Sequence, residues 1–120
     1  MQILLRERFL ISPTGTWEPP VDLYETDREI VVVVEVAGVD HRSLRVQLDG
    51  NRLSISGLRR ESYPPVVRIH QMEIEYGYFE RVVRLPAAVD EQGVSATYRD
   101  GFLKVQLPKL RRERRIEIEG

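Results

Sequence analysis

Five β-branched residues in a row, Ile30-Val31-Val32-Val33-Val34, constrain this chain more than any other feature. Each carries two heavy substituents on Cβ. That crowds a helical turn but suits a pleated strand. The run continues through Glu35 to Val36 and is apolar on both faces in its first half, so Ile30–Val36 is predicted as a strand. Its surroundings repeat the signal. Leu44–Leu48 alternates, with Leu44, Val46 and Leu48 on one face. Asp49-Gly50-Asn51 then reads as a hairpin turn, because Gly and Asn accept positive φ at little cost. Arg52–Gly57, Val94–Tyr98 and Phe102–Leu107 alternate as well, with Asp100-Gly101 as a second turn and Pro108 as a stop. Phe79–Leu85 puts Phe79, Arg81, Val83 and Leu85 on one side before Pro86 ends it. Short strands at this spacing predict an all-β sandwich or barrel.

Composition sets the bounds. A chain of 120 residues suits one domain, and 42% apolar against 31% charged residues argues against wholesale disorder. A net charge of -1 gives no field to draw nucleic acid or an anionic membrane. Cysteine is absent, which excludes disulfides, thiolate nucleophiles and sulfur-ligated metals and fits a reducing compartment. Near the start, Arg6-Glu7-Arg8 splits Ile3-Leu4-Leu5 from Phe9-Leu10-Ile11. Neither half is long enough for a secretory signal or a membrane span, so a cytoplasmic location is expected.

Three regions follow. Residues 1–18 read as an N-terminal arm with a turn-rich end, Ser12-Pro13-Thr14-Gly15-Thr16. Residues 19–108 hold the predicted strands. Residues 109–120 read as a tail, in which five basic residues and one Glu within Lys109–Arg115 precede Ile116-Glu117-Ile118. The arm is the one place where a short amphipathic helix is conceivable. The long connection from Gly57 to Gly77 holds Tyr63-Pro64-Pro65, and Val66–His70 inside it has the makings of a strand away from the parent sheet.

Taken in order, these pieces resemble the α-crystallin domain of small heat-shock proteins. Val21-Asp22-Leu23-Tyr24-Glu25 looks like that domain's first strand, and Val36-Ala37-Gly38-Val39-Asp40 with Leu44–Leu48 like its central turn and strand. Asn51–Gly57 is similar to the strand that follows, and Phe79–Pro86 to the interface strand with its closing Leu-Pro. Ala96–Leu103 resembles the signature hairpin, although Phe102 stands where Val or Ile is usual. Ile116-Glu117-Ile118 matches the tail Ile-x-Ile motif, and the arm is short for the family. The resemblance spans roughly Val21 to Ile118. It implies an immunoglobulin-like antiparallel β-sandwich and the work of an ATP-independent chaperone of the holdase type, active as a dimer-based oligomer with itself and unfolded client proteins as partners. The competing reading is a monomeric co-chaperone or adaptor sandwich with a dedicated protein partner.

Specific residues carry these expectations. In an extended tail Ile116 and Ile118 point the same way, which suits two knobs docking in a groove. The resemblance places that groove between Leu44–Leu48 and Val94–Tyr98 of a neighbouring subunit, with Val46, Leu48, Val94 and Ala96 as lining. The alternative makes the two isoleucines the last strand of their own sandwich. By the same resemblance the loop strand with Arg68, Ile69 and His70 pairs with the partner's edge near Val21 and Leu23, capping exposed edges. The alternative is a surface loop. Arg68 and Arg81 are candidates for ion pairs with Glu73, Glu75 or Glu80. Arg81 shares a face with Phe79 and Val83, so it is either buried and paired or snorkelling. In the arm, Leu4, Leu5, Phe9, Leu10 and Ile11 are the candidate client-binding residues, with Trp17 close behind. The alternative is an arm folded back on its own domain.

Nothing in the sequence points to catalysis. His41 and His70 lack a metal-ligand spacing, and there is no glycine-rich phosphate loop, so no enzyme, cofactor or metal is expected. Asp40 reads as a turn cap, Ser54 and Ser56 as solvent-face strand positions, and Lys109–Arg115 as a solvated hinge in preference to a nucleic-acid patch.

Overall fold

The computed structural model describes residues 1–5, 17–110 and 118–120. Strands dominate the described residues: β1 (Gln2–Leu5), β2 (Val21–Glu25), β3 (Glu29–Glu35), β4 (Arg45–Asp49), β5 (Arg52–Arg59), β6 (Gly77–Arg84), β7 (Ser95–Arg99) and β8 (Phe102–Pro108). One sheet runs β1-β4-β5-β6 and the other β2-β3-β8-β7. The two close over one core, as a sheet with one apolar face must.

The β-branched run forms β3, in the interior of its sheet between β2 and β8. Ile30, Val32 and Val34 enter the core. Val31 points to the other face and is still only 1% exposed, between its register partners Tyr24 and Gln106. The alternating segments behave as alternation dictates. Val46 and Leu48 of β4, Leu53 and Ile55 of β5, and Leu103, Val105 and Leu107 of β8 face inward and are fully buried.

Turn chemistry sets the register of two hairpins. Gly50 has φ 61°, and the turn brings Asp49 opposite Arg52. Asp100 and Gly101 both have positive φ, 54° and 82°, and close Arg99 onto Phe102. Gly101 is needed for a second reason: a Cβ there would lie 3.0 Å from the Ala37 Cβ, while its carbonyl accepts from the Val36 N–H at 2.8 Å. Asp40 caps a single 3-10 turn, His41–Ser43, by accepting the Arg42 N–H at 3.0 Å.

Three readings of the sequence need correction. Residues 2–5 of the arm, where the sequence leaves room for a short helix, form a strand parallel to β4 in an otherwise antiparallel sandwich, while residues 6–16 lie outside the described residues. Ser54 is 3% exposed instead of facing solvent. It sits on the interior strand β5 between its register partners Gln47 and Val82, where a short side chain lies below the height of its neighbours. Trp17, expected in the arm, belongs to the core: it packs edge-on against Phe79 at 5.3 Å between centroids and donates from Nε1 to the Gly77 carbonyl at 2.9 Å. An indole brings much apolar area and one donor, and this position satisfies both.

Among the described residues no helix is long and apolar enough to cross a membrane.

Candidate interaction site

A sandwich whose described residues form eight short strands offers its sheet edges as places where another chain can pair. Here β2 and β7 end one sheet, and β1 and β6 end the other. The contacts of Trp17 and Arg81 show which edges lie together. Trp17 binds the start of β6, and Arg81 of β6 donates from Nη1 to the Pro19 carbonyl at 2.8 Å, just before β2. The β2 and β6 edges therefore share one side. The β1 and β7 edges share the other, with β4 next in from β1.

On the β4 and β7 side stand the four residues expected to line a groove. Val46 and Leu48 of β4 are fully buried, Ala96 of β7 is half-buried, and Val94 directly before β7 is half-buried against the core. Tyr98 of β7 completes this row: it packs on the core, and its hydroxyl donates to the Val36 carbonyl at 2.6 Å. His41 stacks on the Tyr98 ring at 6.0 Å. The outer edge of β4 is not vacant, because β1 pairs along it in the register Ile3↔Val46 and Leu5↔Leu48. Gln2-Ile3-Leu4-Leu5 does not alternate, and four residues are too few to separate a strand from a helical turn, so the sequence carried no clear signal for this strand.

On the β2 and β6 side, Val21 packs partly on the core while Leu23 and Tyr24 are exposed. Arg81 is half-buried, with its stem on the core face of β6 and its guanidinium on a backbone carbonyl. The run Val66–His70 is irregular within the single chain. It is also apolar and open: Val66, Val67, Ile69, Met72 and Ile74 are exposed, as are Arg68 and His70.

The far end of this loop is tied down by Arg59, a role that spacing alone did not reveal. Its Nε donates to the Glu75 carbonyl at 2.8 Å, and Nη1 donates to the Ala37 carbonyl at 3.2 Å. Its guanidinium also lies over the Trp17 ring at 3.8 Å. Tyr63 meets Tyr76 edge-on at 6.0 Å, and the hydrogen bond between the two phenols raises the Tyr63 pKa.

At the tail's base, Lys109 pairs with Glu25 at 2.5 Å and donates its N–H to the Arg28 carbonyl at 2.8 Å. Lys109 is thus part of the sandwich, not of a solvated hinge. Ile118 is 94% exposed and touches no core cluster. Ile116 lies outside the described residues, as do Phe9, Leu10 and Ile11. Leu4 and Leu5 are placed by backbone register, opposite Gln47 and Leu48. Among the described residues no three His, Cys, Asp or Glu side chains gather in a way that would hold a metal ion.

Comparison with known proteins agrees with this architecture. The sequence model described as Hsp20/alpha crystallin family matches residues 22–119. The small heat shock protein C2 of Rickettsia felis is 30% identical over 105 residues, covering 85% of this chain and 68% of that one. The chain spans from about half to about two thirds of the length of such curated relatives. Among solved structures, HSP18.5 from E. histolytica superposes with a TM-score of 0.72 at 32% identity, covering 87% of this chain and 99% of that one. A small heat-shock protein from Xylella fastidiosa, described as having a distinct high order structure, gives a TM-score of 0.71 at 32% identity, covering 88% and 99%.

Proposed function

Because this chain belongs to the Hsp20/alpha crystallin family, we propose that it is a chaperone of the holdase type. It binds partly unfolded proteins without ATP, holds them apart, and works as an assembly of dimers. One observation carries this reading: apolar side chains that the core does not use are gathered on segments outside the sheets. Val66, Val67, Ile69, Met72 and Ile74 stand exposed on the loop, and Ile118 on the tail. Each Ile or Leu fully buried against a partner is worth about 1.5–3 kcal/mol. A handful of such contacts gives weak, reversible capture singly and firm attachment in an array.

Two surfaces divide the work. The loop strand with Arg68, Ile69 and His70 adds to the partner's edge at Val21 and Leu23, near Arg81, and so makes the dimer. Ile116 and Ile118 dock between β4 and β7 of a neighbouring dimer, against Val46, Leu48, Val94 and Ala96, and so build the higher assembly. The full exposure of Ile118 supports docking over a place in its own sandwich. Leu4, Leu5, Phe9, Leu10 and Ile11 of the arm supply further client surface. On this reading the chain is not an enzyme, takes no cofactor or metal, binds neither nucleic acid nor membrane, and works in the cytoplasm, which suits a cysteine-free sequence.

The test is to heat an aggregation-prone enzyme with and without the full chain, in the absence of ATP, and follow turbidity together with the chaperone's mass by light scattering. Suppressed turbidity and a mass above monomer are expected. A monomer with no effect on turbidity would overturn the proposal in favour of an adaptor module.

A further inference from the structure

We propose that the outer edge of β4 is a single seat with two claimants in the sequence: the chain's own residues 2–5 and the Ile116–Ile118 tail of a second copy. The inference rests on the tail-docking reading above and goes beyond it, because it makes the start of the chain a competitor of the end.

A strand has two hydrogen-bonding edges. One edge of β4 is taken by β5, in the register Arg45↔Ser56 to Asp49↔Arg52. The other is taken by β1, in the register Gln2↔Arg45 to Leu5↔Leu48, with the Gln2 N–H donating to the Leu44 carbonyl at 2.9 Å. A tail strand arriving at β4 finds no free edge until β1 leaves.

The two claimants are also alike. Ile3 and Leu5 lie two apart, as Ile116 and Ile118 do. In β1 they stand at the register of Val46 and Leu48. The tail would need the same two positions for its pair of knobs. While β1 holds the seat, Ile118 stands 94% exposed.

The hold of β1 is shallow enough to be exchanged. It is four residues long, Met1 is only partly buried against the core, and Ile3 remains 37% exposed. Its departure uncovers the flanks of Val46 and Leu48, so release and tail capture are coupled steps. Seated, β1 covers an apolar edge that would otherwise stand open. Displaced, it returns residues 2–5 to the arm.

A disulfide staple tests this directly, since the natural chain has no cysteine. Gln2 and Arg45 are register partners, and both are exposed. Paired strands run about 4.8 Å apart, within reach of a disulfide. Gln2→Cys/Arg45→Cys is made in the full chain on an Ile116→Ala/Ile118→Ala background, so that no tail in the sample fills the seat. The probe is a fluorescent peptide of residues 108–120, read by anisotropy, with its double-alanine counterpart as control. Oxidation should form the intramolecular bond and weaken peptide binding on the order of tenfold or more, and reduction should restore it. Ile3→Glu, which loosens β1 without a staple, should bind the peptide more tightly than its parent.

Failure of the bond to form would show that β1 does not hold this place. Equal binding by oxidised and reduced protein would overturn the competition while leaving tail docking intact. Binding of the peptide by none of the forms would overturn tail docking itself, and the competition with it.

Discussion

The Arg59 guanidinium lies 3.8 Å from the centroid of the Trp17 ring, and this pair joins three parts of the chain that are distant in sequence. Trp17 leads into β2, Arg59 ends β5, and the same guanidinium reaches the Glu75 carbonyl at the far end of the long loop. A planar cation with a fork of donors can stack on an indole and hold two carbonyls at once, which an ammonium cannot do. The apolar loop is thereby fastened at its return to β6, while its middle stays open.

Arg59→Lys keeps the charge but loses the fork and the stacking. We expect a loss of about 1–2 kcal/mol from these combined contacts, seen as a fall of a few degrees in the unfolding midpoint. Amide exchange should rise mainly at residues 71–76 and at Trp17. A uniform rise over the whole sandwich would mean that the clamp serves general stability and not the loop.

Gly57 of β5 lies under the ring of Phe79: a Cβ there would come within 2.8 Å of Phe79 Cε1 and 3.1 Å of Leu44 Cδ2. Both neighbours are fully buried, so neither moves without disturbing the core. Gly57→Ala should cost about 1–3 kcal/mol by overpacking. Adding Phe79→Leu, which shortens the obstructing side chain, should make the two changes non-additive in a double-mutant cycle. Strict additivity in urea unfolding would show that the two sites do not meet.

What could be read in advance was what is local. Ile30–Val34 announces a strand by its branching, and Asp100-Gly101 announces a turn by its tolerance of positive φ, with no help from distant residues. Trp17 could not be assigned to the core in this way, because its partners Phe79 and Gly77 are far along the chain and leave no periodic trace. Ser54 misled for a related reason: alternation tells which face a residue takes, not whether neighbouring side chains overtop it. The candidate site divides along the same line. Val46 and Leu48 announced their face by alternation, whereas the strand seated beside them is residues 2–5, distant in sequence.

Tyr98 donates its hydroxyl to the Val36 carbonyl at 2.6 Å, tying the edge strand β7 to the turn that follows β3. Tyr98→Phe keeps the ring and loses the bond. The expected cost is about 1 kcal/mol or less, since the Val36 carbonyl keeps the Val39 N–H at 3.3 Å. If β7 helps to form the tail groove, the loosened edge should also weaken binding of the tail peptide. Unchanged peptide affinity with lowered stability would separate the fold of β7 from any role in docking.

Ile118 is 94% exposed and lies outside the core cluster, so its loss removes nothing from the sandwich itself. Ile116→Ala/Ile118→Ala should therefore leave the far-UV spectrum and the core's exchange protection unchanged while the light-scattering mass falls toward that of a dimer. The loop supplies the complement. Val67 is fully exposed and Ile69 largely so, and Val67→Asp/Ile69→Asp places charge where an apolar partner surface is proposed. That variant should dissociate to monomers with the sandwich again intact, because isolated surface substitutions change fold stability by roughly half a kcal/mol or less. The two variants make opposite demands on one hierarchy, in which dimers form through the loop and larger assemblies through the tail. If the tail variant gave monomers, or the loop variant kept its full mass, the assignment of these two surfaces would be reversed or wrong.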